Sequence, residues 1–349
     1  MIFYILSHKV FTGGPESLHQ LGNSLRKQGV NAKIYYVDDH LPLPKRLEEY
    51  AVPNVHSLSE IIDVEENILI VPEDCIEYFK YFKKIKKCIW WLSLHYYLVK
   101  SNPNYLIRYC LPQLPKWMYI FPRIYISMKG SSKNDYYIPI PNDGVFHLYN
   151  CEYVRQYLMN CNIPKTNTYY LCGPIESIYF EEESTQSKEN IVIYNPKKGI
   201  KFSKKIIKEL NARDVKTIPI QNMSAQEIKM TMAKSKIYMD FGFFPGPERI
   251  PREAVLMNCN LITSLCGSAE NDIDIPIPRY LKYDIYDKEA IRKIVSKIED
   301  MLINYESEID LYDKYRDNVI LQRNTFDMRV GQIIHHFGLK SQIQNTESY

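Results

Sequence analysis

The opening stretch MIFYILSHKVFTGGPESLHQLGNSLRKQGVNAKIYYV restricts the fold more than any other part of the chain. Ile2 to Leu6 form a short, unbroken apolar run. A Gly-Gly pair follows, then Leu18, Leu21 and Leu25 recur at helical spacing until Gly29 stops the pattern. A second run, Asn31 to Val37, begins at once. Strand, helix and strand in such quick succession form a βαβ unit, which points to parallel strands in a doubly wound α/β sheet.

The plan continues along the chain. Asn67–Pro72, Lys86–Ser93 and Gly144–Asn150 read as further strands, and Glu152–Ile163 as a helix. Between Cys172 and Asn190 periodicity lapses and acidic and polar residues collect, as in an exposed connector. The pattern then restarts: NIVIYNPKKG is a strand with a Lys-Lys-Gly turn, Ile200–Arg213 a helix, Val215–Ile220 a strand, Ser224–Ser235 a helix, Lys236–Gly242 a strand and Asn260–Ser264 another. A long amphipathic helix is predicted from about Lys288 to Glu306. A chain of 349 residues suits two domains of ordinary size, each with its own core. The predicted division is 1–175, a connector at 176–190, a second domain at 191–320 and a final helical segment at 321–339. Two domains imply a cleft.

An apolar fraction of 45% and a charged fraction of 24% exclude disordered and fibrous classes. A net charge of +3 lacks the basic excess of nucleic-acid binders. The apolar run at the start covers only about six residues, too few for a signal-peptide core or a bilayer span, so a cytoplasmic protein is expected. The eight cysteines form no C-x-x-C pair and have no neighbouring His at zinc spacing, which predicts reduced, mostly buried thiols and no metal.

The stretch DFGFFPGPERIPREAVLMNCNLI, Asp240 to Ile262, crowds charge at the mouth of a helical pattern. Pro251 suits the first helical position, because its missing N–H is one the helix leaves unpaired. A helix starting there points free N–H groups and a positive dipole end outward. With Lys197, Lys198, Arg249 and Arg252 near, that is a place for a diphosphate. Glu253 either stabilises the helix start or accepts hydrogen bonds from ribose hydroxyls. Open α/β sheets bind ligands beyond the carboxyl ends of their strands, where the Gly13-Gly14 and Gly199 turns also fall.

Three stretches together resemble bacterial GT-B glycosyltransferases of surface-polysaccharide assembly, of the capsule and lipopolysaccharide type. They are TGGPESLHQLGNSLRKQG, NPKKG and YMDFGFFPGPERIPREAVLMNCNLITSLCGSAENDIDIPIP. The similarity covers both predicted domains and is most specific in Pro-Gly-Pro-Glu-Arg-Ile-Pro-Arg-Glu-Ala. The resemblance implies two Rossmann-like domains facing a central cleft, acceptor in the first and nucleotide-sugar in the second, with the last helix crossing back to the first domain. It implies a sugar transferase that uses the nucleotide-sugar as co-substrate, with no further cofactor and no metal. Glu253 would bind the ribose, and Lys198 with Arg249 or Arg252 the diphosphate. Lys197, Gly246 and Glu248 complete the donor set, and Gly13 and Gly14 would let backbone approach the phosphates. Many retaining members carry two glutamates eight positions apart; here the position eight before Glu253 is Pro245, with Glu248 close by, so the stereochemical outcome stays open.

Transfer that inverts the sugar needs a base for the acceptor hydroxyl. His95, just past a predicted strand, and Glu16, beside the Gly-Gly turn, are the candidates; His19 reads as packed or surface. The D-x-D triplet Asp272-Ile273-Asp274 reads as a solvated loop. Lysines mix with aromatics over 77–130, which suits peripheral contact with the inner face of a cytoplasmic membrane carrying a lipid-linked acceptor. Competing readings are a non-catalytic nucleotide-sugar or glycan-binding subunit and a nucleic-acid binder. A dinucleotide oxidoreductase is disfavoured, since TGGPES is not G-x-G-x-x-G.

Overall fold

The computed structural model describes residues 1–38, 40–110, 118, 120, 122, 137–181 and 187–346, with side chains of the last helix described to Gly338. The chain divides into two compact units. The first is Met1–Asn150, Val154–Gly173 and Phe326–Tyr349; the second is Cys151–Tyr153 and Pro174–Thr325.

The first unit is built on a seven-stranded sheet of β1 (Ile2–Ser7), β2 (Asn31–Tyr36), β3 (Asn54–Val55), β4 (Ile68–Pro72), β5 (Lys86–Trp91), β6 (Phe146–Tyr149) and β7 (Thr168–Tyr170), in the order β3-β2-β1-β4-β5-β6-β7. Every pairing is parallel. All five residues of β4 are buried, as a strand covered on both faces requires. Helix α1 (Gly13–Lys27) lays Leu18, Leu21 and Leu25 on the sheet.

The last helix, Asp313–Thr346, is longer than the expected 321–339. Its residues Phe326, Val330, Ile333 and Phe337 recur at helical spacing and join Phe3, Ile5, Trp90 and Leu148 in the core of the first unit. Phe337 stands edge-on to Phe3 and Phe146, with ring centroids 5.9 and 5.3 Å away. Ser24 donates to Asp327 at 2.5 Å.

The second unit carries five parallel strands, β8 (Glu189–Tyr194), β9 (Lys216–Pro219), β10 (Ser235–Asp240), β11 (Asn260–Ser264) and β12 (Lys282–Tyr283), ordered β12-β11-β10-β8-β9. The helices Ile200–Asn211, Ala225–Lys234, Arg249–Leu256 and Ala290–Ile303 follow their strands in the expected alternation. Ser224 caps the second of these in a box with Glu227, whose carboxylate accepts from the Ser224 N–H at 2.7 Å. Tyr312, Tyr315 and Val319 from the start of the last helix and the turn before it belong to this core.

In each sheet the chain starts in the interior, winds to one edge, then returns and winds the other way. The reversal lies between β1 and β4 in the first unit and between β8 and β10 in the second. Loops leaving the carboxyl ends of two such strands diverge, and the crevice between them is where doubly wound sheets take ligands.

Candidate functional site

At the reversal of the second unit, the turn after β8 meets the stretch after β10. Asn195 accepts from the Lys197 N–H at 2.9 Å and tightens the first. Gly199 ends it at φ +60° and starts the helix Ile200–Asn211. A Cβ there would sit 2.4 Å from the Phe241 carbonyl oxygen, and a Cβ at Gly242 would sit 2.4 Å from Cβ of Lys198. Glycine at both places lets the two loops touch. Asp240, buried at the end of β10, accepts from the Gly242 N–H at 2.9 Å and the Tyr238 hydroxyl at 2.8 Å; burial still pushes its carboxyl above the usual range.

The loop from Phe241 to Glu248 is pinned from behind. Phe244 bridges to Gly267, Ser264 donates to the Gly242 carbonyl, and Ser268 donates to the buried Gly246 carbonyl at 2.7 Å. The helix that follows runs Arg249–Leu256 with Glu248 at its N-cap, so Pro251 is the third helical residue and not the first as the sequence suggested. The physical reason still holds, since the first four N–H groups of a helix all lack intrahelical partners.

Four cations and four carboxylates occupy this strand end. Lys198 donates to Glu248. Arg249 donates to Glu176 at 2.5 Å and pairs with Glu253 at 3.1 Å. Arg252 is buried, donating to the Glu248 carbonyl at 3.3 Å and to Gln322 at 3.2 Å. Lys197 is exposed. Counting Asp240 as the fourth carboxylate, the formal charges cancel, four against four. Burial moves the balance: it raises the Glu248 carboxyl against the lowering effect of Lys198, and raises Asp240, so the acids here give up charge more readily than free carboxylates. An entering dianion would find cations already positioned and carboxylates that can be neutralised. The structure thus brings together Lys197, Lys198, Gly246, Glu248, Arg249, Arg252 and Glu253.

The other candidates lie in the first unit. Gly13 and Gly14 are the first residues of α1 behind the N-cap Thr12, not a turn ahead of it. A Cβ on Gly14 would meet only Leu92, at 3.7 Å. Glu16 is buried on α1 and accepts from the Tyr50 hydroxyl at 3.0 Å. His95 is buried on the helix Leu94–Ser101, its Nδ1 3.0 Å from the Tyr105 hydroxyl. His19 is a packed histidine between the Pro15 carbonyl and Tyr36, and burial lowers its pKa. The Asp272-Ile273-Asp274 triplet is not simply a solvated loop. Asp272 pairs with Lys282 at 2.7 Å, while Asp274 is largely enclosed and accepts from the N–H groups of Glu152 and Tyr153 at 2.7 and 2.9 Å.

One group escaped the sequence reading. His8 follows β1, Asp38 follows β2, and Glu73, Asp74 and Cys75 follow β4, so all five lie at the reversal of the first sheet. The His8 ring is held through Nδ1 by Asp38 and stands with Nε2 3.2 Å from Asp74. The Asp74 hydrogen bond is the largest influence raising its pKa to about 9. Cys75 Sγ lies 3.6 Å from both His8 Nε2 and Asp74 Oδ1. Glu73, buried, accepts from the Leu92 N–H at 2.8 Å, and burial lifts its carboxyl to about 7. The rule that ligands gather beyond strand ends was the available signal.

No protein-family model and no curated protein sequence matches the chain. Solved structures do. A glycosyltransferase from Rickettsia africae superposes with a TM-score of 0.62 at 13% identity, over 96% of this chain and 97% of that one. Alr3699/HepE from Anabaena, solved in complex with UDP-glucose, gives 0.59 at 9% identity over 96% and 99%. WaaG, a glycosyltransferase of lipopolysaccharide biosynthesis, gives 0.55 at 10% over 96% and 99%. At such identities the likeness is one of fold: two α/β units with parallel sheets, arranged in sequence as in GT-B glycosyltransferases.

Proposed function

We propose that the chain is a glycosyltransferase that moves a sugar, hexosyl or related, from a nucleotide-sugar to a glycan or lipid-linked glycan in bacterial surface-polysaccharide assembly. The observation that carries this reading is the meeting of Lys198, Glu248, Arg249 and Glu253 at the reversal of the second sheet, the place where such sheets take ligands. In the proposed complex the diphosphate displaces Glu248 and Glu176 from Lys198 and Arg249, and Glu253 accepts from the ribose hydroxyls. As the glycosidic bond breaks, the charge that develops on the leaving diphosphate is stabilised by these cations and the N–H groups of the helix start, without a metal ion at that place. Arg252, bound to Gln322, supports the helix start from behind. His95 or Glu16 supplies the base if the sugar is inverted.

We further propose work at the inner face of the cytoplasmic membrane. No helix of the described residues is long and apolar enough to cross one. Lys83, Lys84, Tyr81 and Tyr96 are exposed, which supports surface contact; most of 111–130 in the expected membrane-facing span lies outside the described residues. Lys86 and Lys87 are engaged within the unit, by the Phe337 carbonyl and the Phe79 ring.

A thermal-shift screen of nucleoside diphosphates and nucleotide-sugars tests the donor reading, followed by transfer assays with Glu253→Ala. One nucleotide base should stabilise the chain in proportion to the logarithm of its saturation, and the variant should lose both stabilisation and turnover. Tight binding without transfer to any acceptor would make the chain a binding subunit, and no nucleotide effect at all would end the proposal.

A further inference from the structure

We propose that His8, Asp74 and Cys75 form a zinc-class metal site at the reversal of the first sheet. The three side chains offer one nitrogen, one oxygen and one sulfur donor, all within 4.8 Å of one another. With metal–ligand lengths of about 2.0 Å to nitrogen and oxygen and about 2.3 Å to sulfur, a tetrahedral centre sets its ligand atoms roughly 3.3–3.5 Å apart. The separations found are 3.2 Å between His8 Nε2 and Asp74 Oδ2, 3.6 Å between His8 Nε2 and Cys75 Sγ, and 3.6 Å between Cys75 Sγ and Asp74 Oδ1. The His8–Asp74 and His8–Cys75 separations are those of tetrahedral edges; Cys75 lies against the other Asp74 oxygen, so the carboxylate need only turn to set one oxygen on the ion.

The surroundings fit the same chemistry. His8 leaves Nε2 for the metal because Asp38 holds Nδ1, which is the outer carboxylate that metal-bound imidazoles usually carry. Cys75 is buried while His8, Asp38 and Asp74 are half-buried, so the thiol forms the floor and the open side faces solvent. Three protein ligands leave a fourth position to water, the pattern of an accessible rather than a closed site. Binding balances as follows: M²⁺ enters, the proton on Nε2 and the thiol proton leave to solvent, Nδ1 keeps its proton and donates it to Asp38 in a hydrogen bond, and the centre is left formally neutral with one aspartate, one thiolate and one neutral imidazole. Because the cysteine and histidine stand 67 positions apart, no short spacing motif could have announced them. The proposal is independent of the donor reading, which concerns the second unit.

Cobalt(II) tests it on the full chain after chelator treatment. One equivalent should give the intense visible bands of a tetrahedral centre and a near-ultraviolet sulfur-to-cobalt charge-transfer band, with Zn²⁺ displacing it. Cys75→Ser should abolish the charge-transfer band, Cys88→Ser should leave it, and Asp38→Asn should keep the band while weakening affinity about 10- to 100-fold. A weak, octahedral-type spectrum, or a charge-transfer band that survives Cys75→Ser, overturns the site. Should Cys75→Ser fail to fold, zinc-edge X-ray absorption of the unaltered, zinc-loaded chain decides: one sulfur among nitrogen and oxygen ligands supports the site, and no sulfur refutes it.

Discussion

Replacing Gly199 by alanine tests the join on which the donor site depends. The residue sits at φ +60°, where an L side chain costs about 1–2 kcal/mol. The added methyl would also lie 2.4 Å from the Phe241 oxygen and 2.5 Å from its carbon, backbone atoms that cannot swing aside as a side-chain tip would. Forcing the loops apart adds roughly 1–3 kcal/mol, the usual cost of overpacking. Gly144 offers the control, since it has φ +78° but nothing within 4 Å of its would-be Cβ, so Gly144→Ala carries the dihedral cost alone. For a unit of this size each kcal/mol lowers the melting temperature by about 2–4 °C, so Gly199→Ala should melt roughly 4–20 °C lower and Gly144→Ala only a few degrees lower. Calorimetry with urea midpoints on the two variants reads the difference. Equal losses would mean that the Phe241 carbonyl does not press on Gly199, and the assembled strand end would have to be abandoned.

Phe337→Ala should cost about 3–5 kcal/mol in the urea midpoint, because it empties a buried place between Phe3 and Phe146; a loss below about 1 kcal/mol would detach the last helix from the first core. Asp274→Ala removes the acceptor for two backbone N–H groups and the Asn271 amide, and should cost about 1–3 kcal/mol while leaving any transfer activity indifferent to added Mg²⁺; a magnesium-dependent loss of transfer would restore a metal role to the triplet. His147 is fully buried and accepts from the Trp91 indole at 3.1 Å, and burial lowers its pKa to about 4. The unfolded chain therefore binds this proton first, so stability should fall as pH drops from about 6.5 towards 4, by an order of 3 kcal/mol, and a His147→Asn variant should lose that slope; an unchanged slope would assign it to other groups. Converting the Lys198–Glu248 pair to Met and Leu together should leave the melting temperature within a few degrees of the parent yet remove stabilisation by the donor nucleotide, whereas retained nucleotide stabilisation would take Lys198 out of the site.

The strands that were legible in the sequence are those whose environment is simple. β1, β4, β5 and β8 each contain a continuous apolar run because parallel sheets bury both faces, and each is found within a residue or two of its expected place. β7 and β12 were not read, because an edge strand of two or three residues is held by its neighbour and leaves no period to detect. The helices Leu94–Ser101 and Pro103–Cys110 were lost in a tyrosine-rich span whose rings serve helix, strand and surface alike. Of the charged cluster at the second reversal, Glu248, Arg249 and Glu253 were legible because charge, proline and glycine crowd one short stretch, and Lys198 because it stands in a Lys-Lys-Gly turn after a strand. His8, Asp38, Asp74 and Cys75 were not, because they come from three chain segments and only the strand order makes them neighbours.

The ion pairs of the second unit bear on why such a place persists. Pulling charges out of water costs several kcal/mol per ion, and a buried pair commonly does no better than packed apolar residues of the same volume. Stability alone therefore gives no reason to keep Lys198, Glu176, Glu248, Arg249 and Glu253 at one strand end, where a Leu and Met cluster would serve. Their carboxylates hold the cations in fixed positions, and burial of Glu248 and Asp240 favours the neutral acids, so the local balance tips toward positive once a proton is taken up. An incoming diphosphate would meet donors already oriented, with less ordering left to do than flexible surface lysines would demand. In the proposed complex the cost in folding is the counterpart of a gain in recognition, and it falls at the sheet reversal, where doubly wound sheets take ligands.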